Sequence, residues 1–440
     1  MADLTYIFVA LVGTFIGSIV GLVPGLHVYN IAGLALLLFS SGAFGVFSIN
    51  DELLAFLLLG MTIGWVLISI LPSTFLFAPD DNSVVAVLPA TKFVLQGRGY
   101  EAVMLIGVGA LASVVCLLAF APLLDAWLRP IRAIIQPHTP WMLLAITLFL
   151  LLGEWSRVGD GEPTPLRRLA VAWAYLGAGL LTFVLSGLLG IVLMTRSPIS
   201  IETAFQNLLP AFVGLFTLPS LIQVLVMGVR VPKQQPPFMQ VLPTEVIRSG
   251  ITGTLGGLFA SVLPVVTGGM GGLLAGHATA QWGDRQFLIS HGASKTAYFV
   301  GSLLLLFVPG LGLTRGGMAW MLTTTFVPYG WRYFALCVAA IGTSSILAFA
   351  LLWLYTRLVS HVVHRVSPYL LASGATLVAI ASTYFFTGLA GVLVAGVAMC
   401  IGLIPVFVGG RRLNGLGVLL VPILLNMTGA SQTVVRWLGL

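Results

Sequence analysis

The chain has 440 residues, 58% of them hydrophobic and only 8% charged, with a mean hydropathy of +1.07. A water-soluble domain carries roughly 25% charged residues, so these charges cannot clothe a soluble surface and most of the molecule must face lipid. The formal charge of +7 fits loop Lys and Arg that orient a membrane protein and meet anionic lipid, rather than a nucleic-acid surface.

Crossing the hydrocarbon core takes about 20 apolar residues in a helix. The first segment, MADLTYIFVALVGTFIGSIVGLVPG, has no basic leader and no small-residue cleavage site, so it reads as a retained first span. Predicted spans lie near 4–23, 28–48, 52–71, 101–122, 141–153, 168–194 and 208–229. Others lie near 250–264, 268–281, 286–308, 332–356, 367–387, 389–408 and 413–428, and several of these are short enough to be half-spans. The fold class is therefore an all-α polytopic membrane protein, with about 10–12 crossings plus re-entrant or broken pieces. Cys116, Cys337 and Cys400 all lie in apolar runs and form no CxxC, so no thiolate metal site is expected.

The stretch VRVPKQQPPFMQVLPTE divides the chain into 1–228, a linker over 229–245, and 246–440. The two sides resemble each other. GTFIGSIVGLVP (13–24) matches GTLGGLFASVLP (253–264), with Gly13/Gly253, Thr14/Thr254, Gly17/Gly257 and Pro24/Pro264 in register. Further along, FAPDD (77–81) falls beside FVPGL (307–311), Ile106-Gly107 beside Ile341-Gly342, and Pro140-Trp141 beside Pro368-Tyr369. Matching boxes in the same order predict an internal repeat of two related transmembrane halves. Gly/Pro interruptions at corresponding positions of such halves point to the binding site of a secondary transporter. Broken helices expose backbone groups, which a bilayer tolerates only in protein or beside a watery cavity.

Three constellations carry the chemistry. In GSIVGLVPGLHVYNIAG (17–33), Pro24 and Gly25 break a helix, and His27 and Asn30 follow. Free N–H groups at the start of the next helix would attract an anion, although an ordinary interfacial turn reads almost as well. In LPSTFLFAPDDNSVVAVLP (71–89), Ser73 and Thr74 interrupt the run, and Asp80, Asp81, Asn82 and Ser83 follow Pro79. This oxygen-rich tip either caps a following helix or couples transport to Na⁺ or H⁺, with a possible Na⁺ at Asp80, Asp81 and Asn82. On the other side of the linker, Thr267, Gly268 and Gly269 follow the Pro264 break, and Thr314 and Arg315 lie beyond Pro309. Lys295 sits in an apolar run, four residues from His291 and on the same helical face, so it either snorkels or faces a cavity. Residues 1–245 hold 10 basic and 12 acidic side chains, and residues 246–440 hold 10 basic and one acidic. An acidic tip opposite basic groups suits an anion moved with a cation.

GSIVGLVPGLHVYNIAGLALLL, LPSTFLFAPDDNSVVAVLP and KFVLQGRGYEAVML in succession resemble the large permease subunit (TctA) of tripartite tricarboxylate transporters, in particular its archaeal-type branch. Pro24, Gly25, His27 and Asn30 fit a PG-x-H-x-x-N box. Pro72, Phe75, Pro79, Asp80 and Asp81 fit the second box, and Gly97 to Ala102 the G-R-G-[YF]-E-A box. The resemblance implies symport of a di- or tricarboxylate-like anion, a small membrane subunit and a substrate-binding protein as partners, and a multi-pass place in the cell membrane.

The expected function is secondary active transport of a small organic anion by alternating access, with Na⁺ or H⁺ as coupling ion, no other cofactor, and a homodimer as a candidate assembly. Substrate contacts are expected at Pro24, Gly25, His27, Asn30, Ser73, Thr74, Thr267, Gly268, Gly269, Lys295, Thr314 and Arg315. A carrier or flippase of isoprenoid phosphate or another anionic lipid is the alternative. An intramembrane enzyme is disfavoured, because adjacent Asp80 and Asp81 point in different directions and His361 and His364 form no HExxH.

Overall fold

The computed structural model describes residues 2–40, 50–154, 164–200, 206–235, 239–278 and 283–440. The ends of the predicted 28–48 and 268–281 spans, and 236–238 of the linker, lie outside the described residues. Among the described residues the regular elements are all helical, and there is no strand.

In chain order the helices are α1 (Ala2–Gly21), α2 (Val28–Ser40), α3 (Asp51–Ile68), α4 (Ile70–Phe75), α5 (Val87–Leu95), α6 (Gly99–Phe120), α7 (Leu124–Leu152), α8 (Pro165–Thr195), α9 (Leu208–Phe212) and α10 (Leu218–Met227). After the linker come α11 (Pro243–Val262), α12 (Gly268–Ala278), α13 (Gly283–Phe307), α14 (Gly317–Thr323), α15 (Trp331–Val362), α16 (Pro368–Val408), α17 (Gly417–Met427) and α18 (Ser431–Trp437).

Among the described residues seven helical stretches are long and apolar enough to cross a bilayer, or eight if the bent pair Arg412–Met427 and Ser431–Trp437 is one span. That is fewer than the ten to twelve expected, for two physical reasons. Gly99–Leu152 is a single 54-residue stretch, whose contour of about 80 Å exceeds twice the ~30 Å hydrocarbon core. Helices α11 and α13, with 20 and 25 residues, are long enough but too polar: α13 carries Asp284, Arg285, His291 and Lys295.

By packing, the chain divides into two units, each drawn from both sides of the linker: 1–133 with 228–375, and 134–227 with 376–440.

In the first unit α3 is central, with 89% of its apolar window buried against 44% for α1. Small residues let the backbones touch. A Cβ on Gly13 would lie 2.1 Å from the Leu57 carbonyl oxygen, and one on Gly17 2.0 Å from that of Met61, so α1 lies directly on α3. On the other side of the linker, a Cβ on Gly253 would lie 2.1 Å from the Ser290 carbonyl oxygen and one on Gly257 2.3 Å from that of Ser294, so α11 lies on α13 in the same manner. Gly109 and Gly292 then bring α6 and α13 together, with Cβ positions 1.9 Å and 2.0 Å from the carbonyl oxygens of Ile289 and Ile106.

The turns of both segments hold left-handed residues. Gly25 (φ 75°) and Val265 (φ 55°) each sit three residues before a helix, α2 or α12. Phe77 (φ 55°) and Gly310 (φ 84°) follow the ends of α4 and α13. A left-handed conformation is costly for a β-branched or bulky residue, so Val265 and Phe77 mark backbone paths that the surrounding packing imposes.

The second unit packs α8 on α17, where a Cβ on Gly190 would lie 2.0 Å from the Val418 carbonyl oxygen. A π-helical turn, Val213–Thr217, joins α9 to α10, and Gly388 (φ 65°) breaks α16.

Candidate functional site

The first unit holds a buried charge pair. Lys295, on α13, is 1% exposed. Its ammonium donates to Asp80 Oδ2 at 2.9 Å, Ser83 Oγ at 2.9 Å and Ser69 Oγ at 3.0 Å. An ammonium has three N–H donors, and all three are met. The ring of Trp65 lies 4.9 Å from Nζ and adds a cation–π contact. Lys295 therefore does not snorkel; it is held inside by an acid from the other side of the linker.

The tip from Asp80 to Ser83 is a tight hydrogen-bonded turn. Asp80 Oδ1 accepts from the backbone N–H groups of Asn82 at 3.1 Å and Ser83 at 2.6 Å, the local bonding that favours Asp in turns. Asn82 Nδ2 donates to Asp81 Oδ2 at 2.9 Å, and Asn82 Oδ1 accepts from the N–H of Gly268 at 2.8 Å. The N-terminus of α12 is thus capped by a side chain far away in sequence. Asp81 is 5% exposed, and its Oδ1 has no hydrogen-bond partner.

The two chain breaks are stitched to the same centre. His27 caps α2: its Nδ1 accepts from Tyr29 N–H at 3.3 Å, and its own N–H donates to Asn30 Oδ1 at 3.2 Å, a reciprocal capping box. The His27 ring lies 4.2 Å from that of Trp65 and 5.5 Å from that of Phe299. Trp65 Nε1 donates to the Leu26 carbonyl at 2.9 Å. Thr267 Oγ1 accepts from Met270 N–H at 3.3 Å, and Ser294 Oγ donates to the Gly268 carbonyl at 2.9 Å. A Cβ on Gly269 would lie 2.4 Å from the Asn82 carbonyl oxygen. Ser73, Thr74, Ser83 and His291 line a cavity of about 10 Å³, the smallest that holds one water. His291 is 2% exposed and its Nδ1 has no hydrogen-bond partner.

The model of the tripartite tricarboxylate transporter TctA family matches residues 7–416. The chain belongs to that family. An uncharacterized protein of Methanocaldococcus jannaschii is 28% identical over 324 residues, which cover 72% of each chain. No solved structure matches this chain. This TctA chain is accordingly an integral, multi-pass membrane permease, a component of a transport system.

In this TctA chain the three sequence boxes play different parts. The first supplies the α2 cap and the His27–Trp65 stack. The second supplies the acid of the buried pair. The third is a lock at the start of α6: Gly99 N–H donates to Gln234 Oε1 at 2.7 Å, and Gln235 N–H to the Gly97 carbonyl at 2.7 Å. Beside it, Glu101 binds Arg98 at 2.7 Å and also Arg285, which reaches the Gln240 carbonyl. Gly97, Arg98, Glu101, Gln235, Gln240 and Arg285 line a cavity of about 200 Å³, and these bonds fasten the linker to α6 and α13.

Of the expected site residues, His27, Asn30, Asp80, Asp81, Asn82, Ser83, Thr267, Gly268, Gly269 and Lys295 converge; Pro24 and Gly25 shape the adjoining turn. Thr314 is exposed, and Arg315 lies beside Arg132, so neither joins Lys295. Burial, and then the neighbouring Arg132 charge, hold the Arg315 guanidinium below its ordinary value. Sequence reading missed Trp65 and Ser69, which are the aromatic wall and one ligand of the lysine. A lone Trp and Ser in GMTIGWVLISI were the available signal.

Proposed function

We propose that this TctA chain is the permease of a secondary active transporter that moves a small di- or tricarboxylate-like anion together with a cation by alternating access. The observation that supports the reading most is the Lys295–Asp80 pair, buried in a membrane protein between segments from opposite sides of the linker. Ionisable groups inside a membrane protein are expensive and mark ion and substrate pathways. Here the acid follows the α1–α4 segment and the base lies on α13 of the α11–α13 segment, and the two segments share similar glycine contacts. We take these as a duplicated pair, and the rocking of one against the other as the transport step.

The cavity lined by Ser73, Thr74, Ser83 and His291, about 10 Å³, is too small for a carboxylate substrate, which suits an occluded state. Opening would part Asn82 from Gly268 and Lys295 from Asp80. That releases an α12 N-terminus and an ammonium, both suited to an anion. Arg315 and Arg132 would draw the anion in from outside. The partners follow from the family: a small membrane subunit and a substrate-binding protein.

The test is uptake of labelled di- and tricarboxylates into liposomes holding the full chain, with pH and Na⁺ gradients imposed separately. Accumulation that depends on a gradient supports the reading. No accumulation or exchange of any of these anions, with or without the partner subunits, contradicts it. Transbilayer movement of anionic lipid instead would favour the lipid-carrier alternative.

A further inference from the structure

A coupling Na⁺ bound at the Asp80 tip would need a carboxylate with one or two hydroxyl or carbonyl oxygens around it, since hard cations take oxygen ligands. That set is present: Asp80 Oδ2, Ser83 Oγ and Ser69 Oγ converge on one point. The point is occupied by Lys295 Nζ. Its distances of 2.9–3.0 Å to all three oxygens are those of ordinary N–H···O hydrogen bonds. The lysine enters from α13 along a fixed path, because Gly257 and Gly292 pack α11 and α6 directly on that helix. The opposite oxygen of Asp80 is already taken by two backbone N–H groups.

We propose that Lys295 is a tethered replacement for a coupling Na⁺: its ammonium fills the cation seat of the tip, so the site binds no Na⁺ and the cation moved with the anion is a proton. Two groups are placed to carry that proton. Asp81 Oδ1 and His291 Nδ1 are both buried and unpartnered, and His291 lies one helical turn before Lys295. The other titratable groups around the centre are Asp80 itself, His27 from the turn before α2, Tyr29 on α2 and Tyr298 on α13. In His27, Nδ1 already accepts from Tyr29 N–H. Removing the ammonium uncovers a negative seat of three oxygens, and that seat becomes a Na⁺ site.

The transport part of this inference rests on the reading proposed above; the ion part concerns binding alone. Both are tested on the purified full chain in detergent, by thermal unfolding in NaCl against choline chloride at equal ionic strength and by equilibrium binding of radiolabelled sodium. The wild-type chain is expected to unfold at the same temperature in both salts and to bind no sodium. Lys295→Met is expected to unfold a few degrees higher in NaCl than in choline chloride and to bind sodium. The double variant Asp80→Asn/Lys295→Met is expected to lose that response. Sodium binding by the wild type overturns the proposal, as does a Lys295→Met protein that ignores sodium or a double variant that still responds. If Lys295→Met cannot be recovered, Lys295→Leu, which also lacks donors, takes its place. In liposomes, anion uptake driven by a pH gradient and unchanged when choline replaces Na⁺ supports the proton assignment, and strict Na⁺ dependence overturns it. Complete failure of uptake would contradict the transport reading and leave the sodium-binding result standing.

Discussion

Lys295 and Asp80 are 215 residues apart in sequence, and each offsets the other's charge. Removing one partner of a buried pair leaves an unpaired charge and costs about 3–5 kcal/mol. Lys295→Met is therefore expected to lower the unfolding temperature in choline chloride sharply, and adding Asp80→Asn to recover most of the loss; equal damage from single and double variants would show that the charges are not coupled. Val265 offers an opposite test. Its left-handed backbone should cost roughly 1–2 kcal/mol relative to glycine, and its side chain is only half-buried. Val265→Gly is expected to raise the unfolding temperature, whereas Gly25→Ala, at φ 75°, is expected to lower it. The acids, the break residues and Lys295 were all legible as single residues. Their pairing was not, because periodicity tells which face a residue lies on and not what faces it across another helix. Trp65 and Ser69 were passed over for a related reason: an apolar run hides the residue whose polar edge does the bonding.

At the scale of elements, close helix contact depends on glycines that leave no room for a Cβ. On Gly60 it would lie 1.8 Å from the Ala10 carbonyl oxygen, and on Gly109 1.9 Å from that of Ile289. Gly60→Ala and Gly109→Ala must push whole helices apart, so both are expected to abolish recovery of folded protein. Gly374→Ala meets nothing within 4 Å and is expected to be neutral or to gain up to about 1 kcal/mol from helix propensity; retention of folded Gly109→Ala protein in a size-exclusion profile would contradict the packing. The linker tests another contact. Gln234→Ala removes the acceptor of the Gly99 N–H and is expected to cost about 1–2 kcal/mol, as loss of a helix cap does, seen as faster proteolysis within 229–245. The two glycine-rich breaks could be read from the sequence because Gly and Pro punctuate it. The ion-pair cluster of Glu101, Arg98 and Arg285 beside the lock could not, since its third member comes from α13. Thr314 and Arg315 were expected among the substrate contacts by analogy between halves; Thr314 is exposed and Arg315 lies near Arg132.

For the whole molecule, membrane residence followed from composition alone, because 8% charge cannot solvate 440 residues. The number of crossings was harder to read. It depends on whether polar helices such as α13, whose Lys295 is paired inside, count as spans. The linker divides the sequence at its centre, while packing gathers segments from both sides into each of two units. A sequence pattern cannot show such an exchange, because it reports similarity between segments and not which segments touch. The most direct test of the transport account is accumulation of a labelled tricarboxylate in liposomes under an inward pH gradient, comparing the wild type with Asp80→Asn and Asp81→Asn. Both variants are expected to lose gradient-driven accumulation by tenfold or more, an order-of-magnitude expectation for removal of a buried functional charge, while the wild type accumulates. Accumulation by both variants at the wild-type level would contradict the assignment of this tip as the coupling centre.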